Sequence, residues 1–190
     1  DITLKGRICI FIGLENGYPI GKDINKLDYF YNRGVRYMTL CHFKDNDICD
    51  SSTDDNNPDD NGLSEFGIHV VKRMNELGMI VDVSHISQKS FFDVIQHSKK
   101  PVIASHSCIQ GVKDHPQNLT DQQLLALKRI GGVVQVNLVP DHLREPVDVP
   151  EMKEEMGKVM SWLDSKGGFA RLNAEERDYF TKETRRIKLK

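Results

Sequence analysis

The sequence predicts an α/β fold built on a parallel sheet, and three observations lead there. Five apolar runs recur along the 190 residues, and they are near-continuous rather than alternating, as strands covered on both faces are. Amphipathic stretches with helix-capping residues lie between them. The connections are short, which links strand to helix to strand by right-handed crossovers.

The first strand is expected over Arg7–Glu15, "RICIFIGLE". Lys26–Asn32, "KLDYFYN", reads as a helix ending before Gly34, and Val35–Cys41, "VRYMTLC", as the second strand. Lys44–Gly62, "KDNDICDSSTDDNNPDDNG", interrupts the rhythm. It lacks the ligand spacing and glycine of an EF-hand, so it reads as a solvated acidic loop rather than a calcium site. Ser64–Leu77 is a helix with Ser64 as its cap and Gly78 as its stop; Phe66, Val70, Val71, Met74 and Leu77 form one apolar stripe. Met79–Ser84 is the third strand, Ser87–His97 the next helix, and Pro101–Ser105 the fourth strand. Thr120–Ile130 opens on Thr120 and Gln123, a capping-box pair, and leads through Gly131 to the fifth strand, Gly132–Val139. After the loop 140–150, residues 151–190 form a highly charged tail of the same domain. Helices are expected near 151–164 and 173–187, the second capped by Asn173 and Glu176.

Composition narrows the function classes. Hydrophobic residues make up 38% and charged residues 28%, with a formal net charge of −2, a balance that calls for neither nucleic acid nor an anionic membrane as partner. No run approaches the roughly 18 apolar residues of a membrane span. No signal segment follows Asp1, and the natural start is expected to lie elsewhere, so the compartment stays open. Cys9, Cys41, Cys49 and Cys108 form no CxxC pair and are read mostly as reduced thiols.

The chemistry gathers at the strand ends, where parallel α/β folds bind their ligands. The first strand ends in Glu15, the second in His42, the third in His85 and the fourth in His106, with Asn137 near the end of the fifth. One histidine at a strand end is ordinarily a satisfied polar residue; three with a glutamate at equivalent places suggest a shared site. Imidazole and carboxylate suit zinc and similar divalent ions, and one glutamate can bridge two of them. Ser84, Ser87, Ser105 and Ser107 are placed either to orient the imidazoles or to cap the following helices. His69, His97, His115 and His142 read as surface or capping residues. A cysteine nucleophile is disfavoured, because Cys41 and His42 point to opposite faces of a strand and no G-x-S-x-G elbow is present.

At these residues the sequence resembles the membrane (renal) dipeptidases and their bacterial homologues. The stretches that carry the resemblance are "IGLENGYPIG" (12–21), "GVRYMTLCH" (34–42), "GLSEFGIHVVKRMNELGMIVDVSHIS" (62–87), "PVIASHS" (101–107) and "HPQNLTDQQLLAL" (115–127). The resemblance implies a (β/α)8 TIM barrel of the metal-dependent hydrolase type. It implies a dipeptide substrate, hydrolysed by a hydroxide held between two zinc ions. It implies Glu15 as the bridging carboxylate, His85 and His106 as ligands of one metal, and His42 as a contact to substrate near the scissile carbonyl.

Three departures qualify it. The family's first-strand His-x-Asp and its last-strand catalytic Asp have no counterpart here, and the family's usual Arg before the "HP-x-N" Asn is Gln117. An amide can hydrogen-bond a substrate carboxylate but forms no ion pair with it. A barrel needs about 250 residues, so the chain is expected to represent strands three to seven of eight, inactive alone and holding one zinc. Its open sheet edges call for missing strands or a second copy of the chain. Two other readings stay open: a catalytically impaired metal- or partner-binding module, and a metal hydrolase of another small amide. A five-stranded doubly wound sheet is the alternative fold.

Overall fold

The computed structural model describes residues 9–55, 60–145 and 149–188. The chain forms two compact units, Asp1–Glu145 and Pro146–Lys190.

The first unit holds a sheet of five strands: β1 (Ile12–Leu14), β2 (Val35–Thr39), β3 (Ile80–Asp82), β4 (Ile103–Ser107) and β5 (Val133–Val136). Every neighbouring pair is parallel and the strands follow one another in chain order. A doubly wound sheet reverses its strand order part-way. This one does not, so that alternative is overturned. Each strand is shorter than its apolar run except β4, which carries on through His106 to Ser107. Part of the first run, residues 7 and 8, lies outside the described residues.

The helices between strands are α1 (Asn25–Asn32), α2 (Glu65–Leu77), α3 (Gln88–His97) and α4 (Asp121–Arg129). Their ends follow from local chemistry. Ser64 Oγ accepts from Gly67 N–H at 2.9 Å and Ser87 Oγ from Ser90 N–H at 3.0 Å. Thr120 and Gln123 make the reciprocal capping box. Gly78 closes α2 at φ 76°, a conformation that favours glycine. The stripe of Val70, Val71 and Met74 is fully buried against a core that includes Met38 and Val81 of the sheet. Gly67 lets α2 approach this core: a Cβ there would stand 2.1 Å from the Ile48 carbonyl oxygen.

The acidic loop is more than a solvated connection. Ile48 and Cys49 are buried, and isolated bridges join Cys49 to Leu63 and Ser51 to Ile86. The sequence reading counted its acidic residues and missed these two apolar side chains, which tether it. All four cysteines are free thiols; Cys9 is exposed and the others are buried.

The second unit pairs α5 (Pro150–Ser165) with α6 (Ala174–Lys188). Trp162 meets Tyr179 edge-on at 4.9 Å and Arg186 pairs with Glu155 at 3.1 Å, so the helices run antiparallel. Asn173 Oδ1 accepts from Glu176 N–H at 2.9 Å, completing the expected cap. Among the described residues, no helix is long and apolar enough to cross a membrane.

Candidate metal centre

Glu15, His42, His85 and His106 meet at the carboxyl ends of β1 to β4. Glu15 Oε1 lies 3.2 Å from His106 Nε2, 3.4 Å from His85 Nε2 and 3.6 Å from His42 Nε2. The Nε2 atoms of His85 and His106 are 2.7 Å apart. Two ligands of one tetrahedral ion with bonds of 2.0–2.1 Å stand about 3.3 Å apart. One carboxylate and two imidazole nitrogens therefore converge closely enough to hold a single cation, and among the described residues this is the only such cluster of three.

Each arm is placed by identifiable contacts. After Glu15 the chain turns at Asn16, φ 74°, whose Oδ1 accepts from Tyr18 N–H and Asn46 Nδ2. Gly17 N–H then bonds to the Leu40 carbonyl, tying the turn to the end of β2. His85 itself has φ 70°. A non-glycine residue held there costs about 1–3 kcal/mol, so the surroundings must impose it. They do so through the acidic loop: Ser52 N–H donates to the His85 carbonyl at 2.8 Å and Ser51 Oγ to the His42 carbonyl at 2.6 Å. Cys41 is turned into the core, its Sγ toward the carbonyls of Asp50 and His85.

Both central imidazoles are also held from behind. Ser105 Oγ lies 2.7 Å from His106 Nδ1, and the side-chain amide nitrogen of Gln117 lies 2.6 Å from His85 Nδ1. Gln117 is buried and directed at a histidine of the cluster, not left free in the cleft. Ser84 Oγ accepts from His106 N–H at 3.1 Å, while Ser87 is the cap of α3. Burial, reinforced by the neighbouring His106 and His42 imidazoles, pushes His85 from 6.5 down to about 4. A neutral ring at neutral pH is the form that ligates metal.

The cleft above these atoms has a volume of about 360 Å³. Asn137 of the fifth strand end and exposed Phe43 line it. His115 and His142 line it too, with ring centroids 4.1 Å apart. This corrects the expectation that both are ordinary surface residues. Loop position alone could not reveal that two segments far apart in sequence fold over one rim. Burial first, then the neighbouring His115, holds His142 below the ordinary imidazole value. The sequence reading also passed over Asp82, a fully buried carboxylate directly behind the cluster. A charged residue inside the apolar run "MIVDVS" was the signal. Among the described residues, no lysine or arginine lines the cleft.

The chain matches the profile of the membrane dipeptidases, peptidase family M19, over residues 1–181. It belongs to that family. An uncharacterised dipeptidase of Schizosaccharomyces pombe is 39% identical over 143 residues, which is 75% of this chain and 34% of that protein. A dipeptidase of Clonostachys rogersoniana is 40% identical over 148 residues, 78% of this chain and 37% of that protein. The chain thus spans about a third of the length of these M19 relatives.

Among solved structures, a probable dipeptidase of Pseudomonas aeruginosa superposes with a TM-score of 0.71 at 30% identity, covering 97% of this chain and 50% of that one. A Rhodobacter sphaeroides metallopeptidase, solved with a phosphinate mimic of the dipeptide L-Ala-D-Ala, gives 0.65 at 28% identity, covering 71% and 39%. The five-stranded sheet is accordingly part of a TIM-type barrel of the M19 kind. The family is one of metallopeptidases, so its cofactor is a metal, and the Glu15–His85–His106 cluster fits one by its donor types and spacing.

Proposed function

We propose that this chain supplies the central strands of a zinc-dependent dipeptidase. The observation that carries the reading is the convergence of Glu15, His85 and His106 at one rim of an M19-type sheet. In that reading Glu15 would serve as the bridging carboxylate of a two-zinc site, and His85 and His106 would hold one of the ions. A divalent metal held by these residues would polarise a substrate carbonyl and activate a water. His42, with its Nε2 3.6 Å from Glu15 Oε1, faces the place of the scissile carbonyl and offers an N–H to the oxygen as it gains charge. Phe43, its ring tilted against His42 with centroids 3.9 Å apart, gives the cleft an apolar wall for a substrate side chain. The remaining metal ligands and the proton donor come from parts of the protein outside this chain.

The exposed apolar side chains of both edge strands accord with this. Ile12 on β1, and Val133 and Val136 on β5, are open to solvent here. We read them as surfaces that the remaining barrel strands cover.

One observation favours a second substrate class. Gln117 is engaged with His85 and no fixed cation lines this part of the cleft, so a free substrate carboxylate finds no ion-pair partner among these residues. Comparing a dipeptide with its C-terminal amide in the complete protein separates the two: a strong preference for the free acid supports the dipeptidase, and equal turnover supports a broader amide hydrolase. The primary test is His85→Ala in the complete protein. Loss of zinc and of dipeptide turnover together is expected; if both survive, the reading is wrong.

A further inference from the structure

We propose that Asp82, acting through Ser105, is a positioning residue that fixes the tautomer of His106 and so frees its Nε2 to bind metal. The metal half of this statement rests on the ligand role proposed above for His106; the tautomer half stands on hydrogen-bond geometry alone.

Asp82 ends β3 and is fully buried. A carboxylate removed from water needs partners for its oxygens, and here it has four. Oδ1 accepts from the backbone N–H groups of Ser84 at 3.1 Å and Ser105 at 3.0 Å. Oδ2 accepts from the hydroxyls of Thr39 at 2.6 Å and Ser105 at 2.5 Å. The sheet puts these donors in place, because Thr39 of β2 and Ile103 of β4 are the register partners of Asp82.

The consequence is a matter of counting protons. A serine hydroxyl has one proton to give. Ser105 gives it to Asp82, so Ser105 Oγ can only accept from the imidazole nitrogen 2.7 Å away. His106 must then carry its proton on Nδ1. Its Nε2 is left with a lone pair, aimed at the point where Glu15 Oε1 and His85 Nε2 also arrive. A carboxylate buried under the sheet thereby sets the state of an imidazole at the rim, with no contact between the two. His85 lacks such a fixed partner. The amide of Gln117 can present either oxygen or nitrogen to its Nδ1, so Gln117 accommodates either tautomer of His85.

The test reads the tautomer directly. Long-range proton–nitrogen NMR spectra of the ¹⁵N-histidine-labelled chain, with the His106 signals assigned by their absence in His106→Asn, should show Nδ1–H. Asp82→Asn presents an amide N–H to Ser105 Oγ and turns the serine proton toward His106; the expected result is a switch to Nε2–H. Zinc affinity measured by calorimetry should fall about 10–100-fold, as loss of a partner behind a ligand does. Should Asp82→Asn fail to fold, Ser105→Ala decides by giving mixed tautomers, and Ser105→Thr restores Nδ1–H. Finding Nε2–H in the unaltered chain overturns the proposal, as does a folded Asp82→Asn or Ser105→Ala that keeps pure Nδ1–H. An unaltered chain with Nδ1–H on His106 but no zinc affinity supports the relay and overturns the metal-ligand reading instead.

Discussion

The two halves of the candidate centre are built to different standards. The imidazole half comes from the segment just after β3 and from β4, two strands with neighbours on both sides. His85 is buried, and both imidazoles have a partner on Nδ1. The carboxylate half is Glu15, just past the end of β1, whose side chain is 54% exposed and, among the described residues, pairs with the three histidines. The difference teaches where precision comes from. A strand with neighbours on both sides has its backbone bonds and side-chain partners supplied from two directions, whereas an edge strand has one.

The largest expected effect measures that asymmetry. His106→Ala in this chain should weaken zinc binding by about 100-fold or more, beyond what loss of a supporting partner costs. Glu15→Gln, removing a solvent-exposed ligand, should cost only about tenfold, because water can take its place. Calorimetry with zinc checks both. Equal losses would mean that Glu15 is held as firmly as the histidines and would erase the distinction.

Acid should act on the buried half. His85 is pushed from 6.5 to about 4, and His142 lies below its ordinary value as well. The unfolded chain therefore takes up these protons at a higher pH than the folded chain. Stability is fully present above about 6.5 and is lost as pH falls toward 4, with His85 accounting for up to about 3 kcal/mol. Urea denaturation in a chelating buffer between pH 7 and pH 4.5 reads this directly. A midpoint that does not move would show that burial of the imidazole side carries no protonation cost.

The smallest effect belongs to the edge. A Cβ on Gly13 of β1 would stand 2.1 Å from the Tyr37 ring, but it meets the far end of a movable side chain. Gly13→Ala should cost about 1 kcal/mol, while Gly67→Ala, which collides with the backbone of Ile48, should cost about 3 kcal/mol. Thermal denaturation separates them; a larger loss at Gly13 would reverse the ranking of edge and interior.

Much of this molecule was legible before any coordinates. The apolar runs located the five described strands, and the caps at Ser64 and Thr120 located the starts of two helices. Those signals are local: a cap acts over one turn, and a strand covered on both faces is apolar along its length. The regular placement of Glu15, His42, His85 and His106 at strand ends was enough to assemble the rim, since parallel strands put all their carboxyl ends on one side.

The partners around that rim were not legible in the same way. His115 and His142 come from loops whose path over the cleft depends on contacts far away in the chain. The acidic loop composition hid its part in clamping the His85 and His42 carbonyls through Ser52 and Ser51. Gln117 is an apparent substrate-facing amide until its distance to His85 Nδ1 is known.

By itself, then, the sequence determined the element order, the strand-end residues and the family resemblance, because each is written in spacing and residue type over short distances. Only the tertiary structure decided that the strands keep chain order, that Asp82 lies behind the site, and which side chains back His85 and His106. Those depend on hydrogen bonds between residues far apart in the chain, where direction and the count of protons matter, and no periodic pattern in the sequence records them.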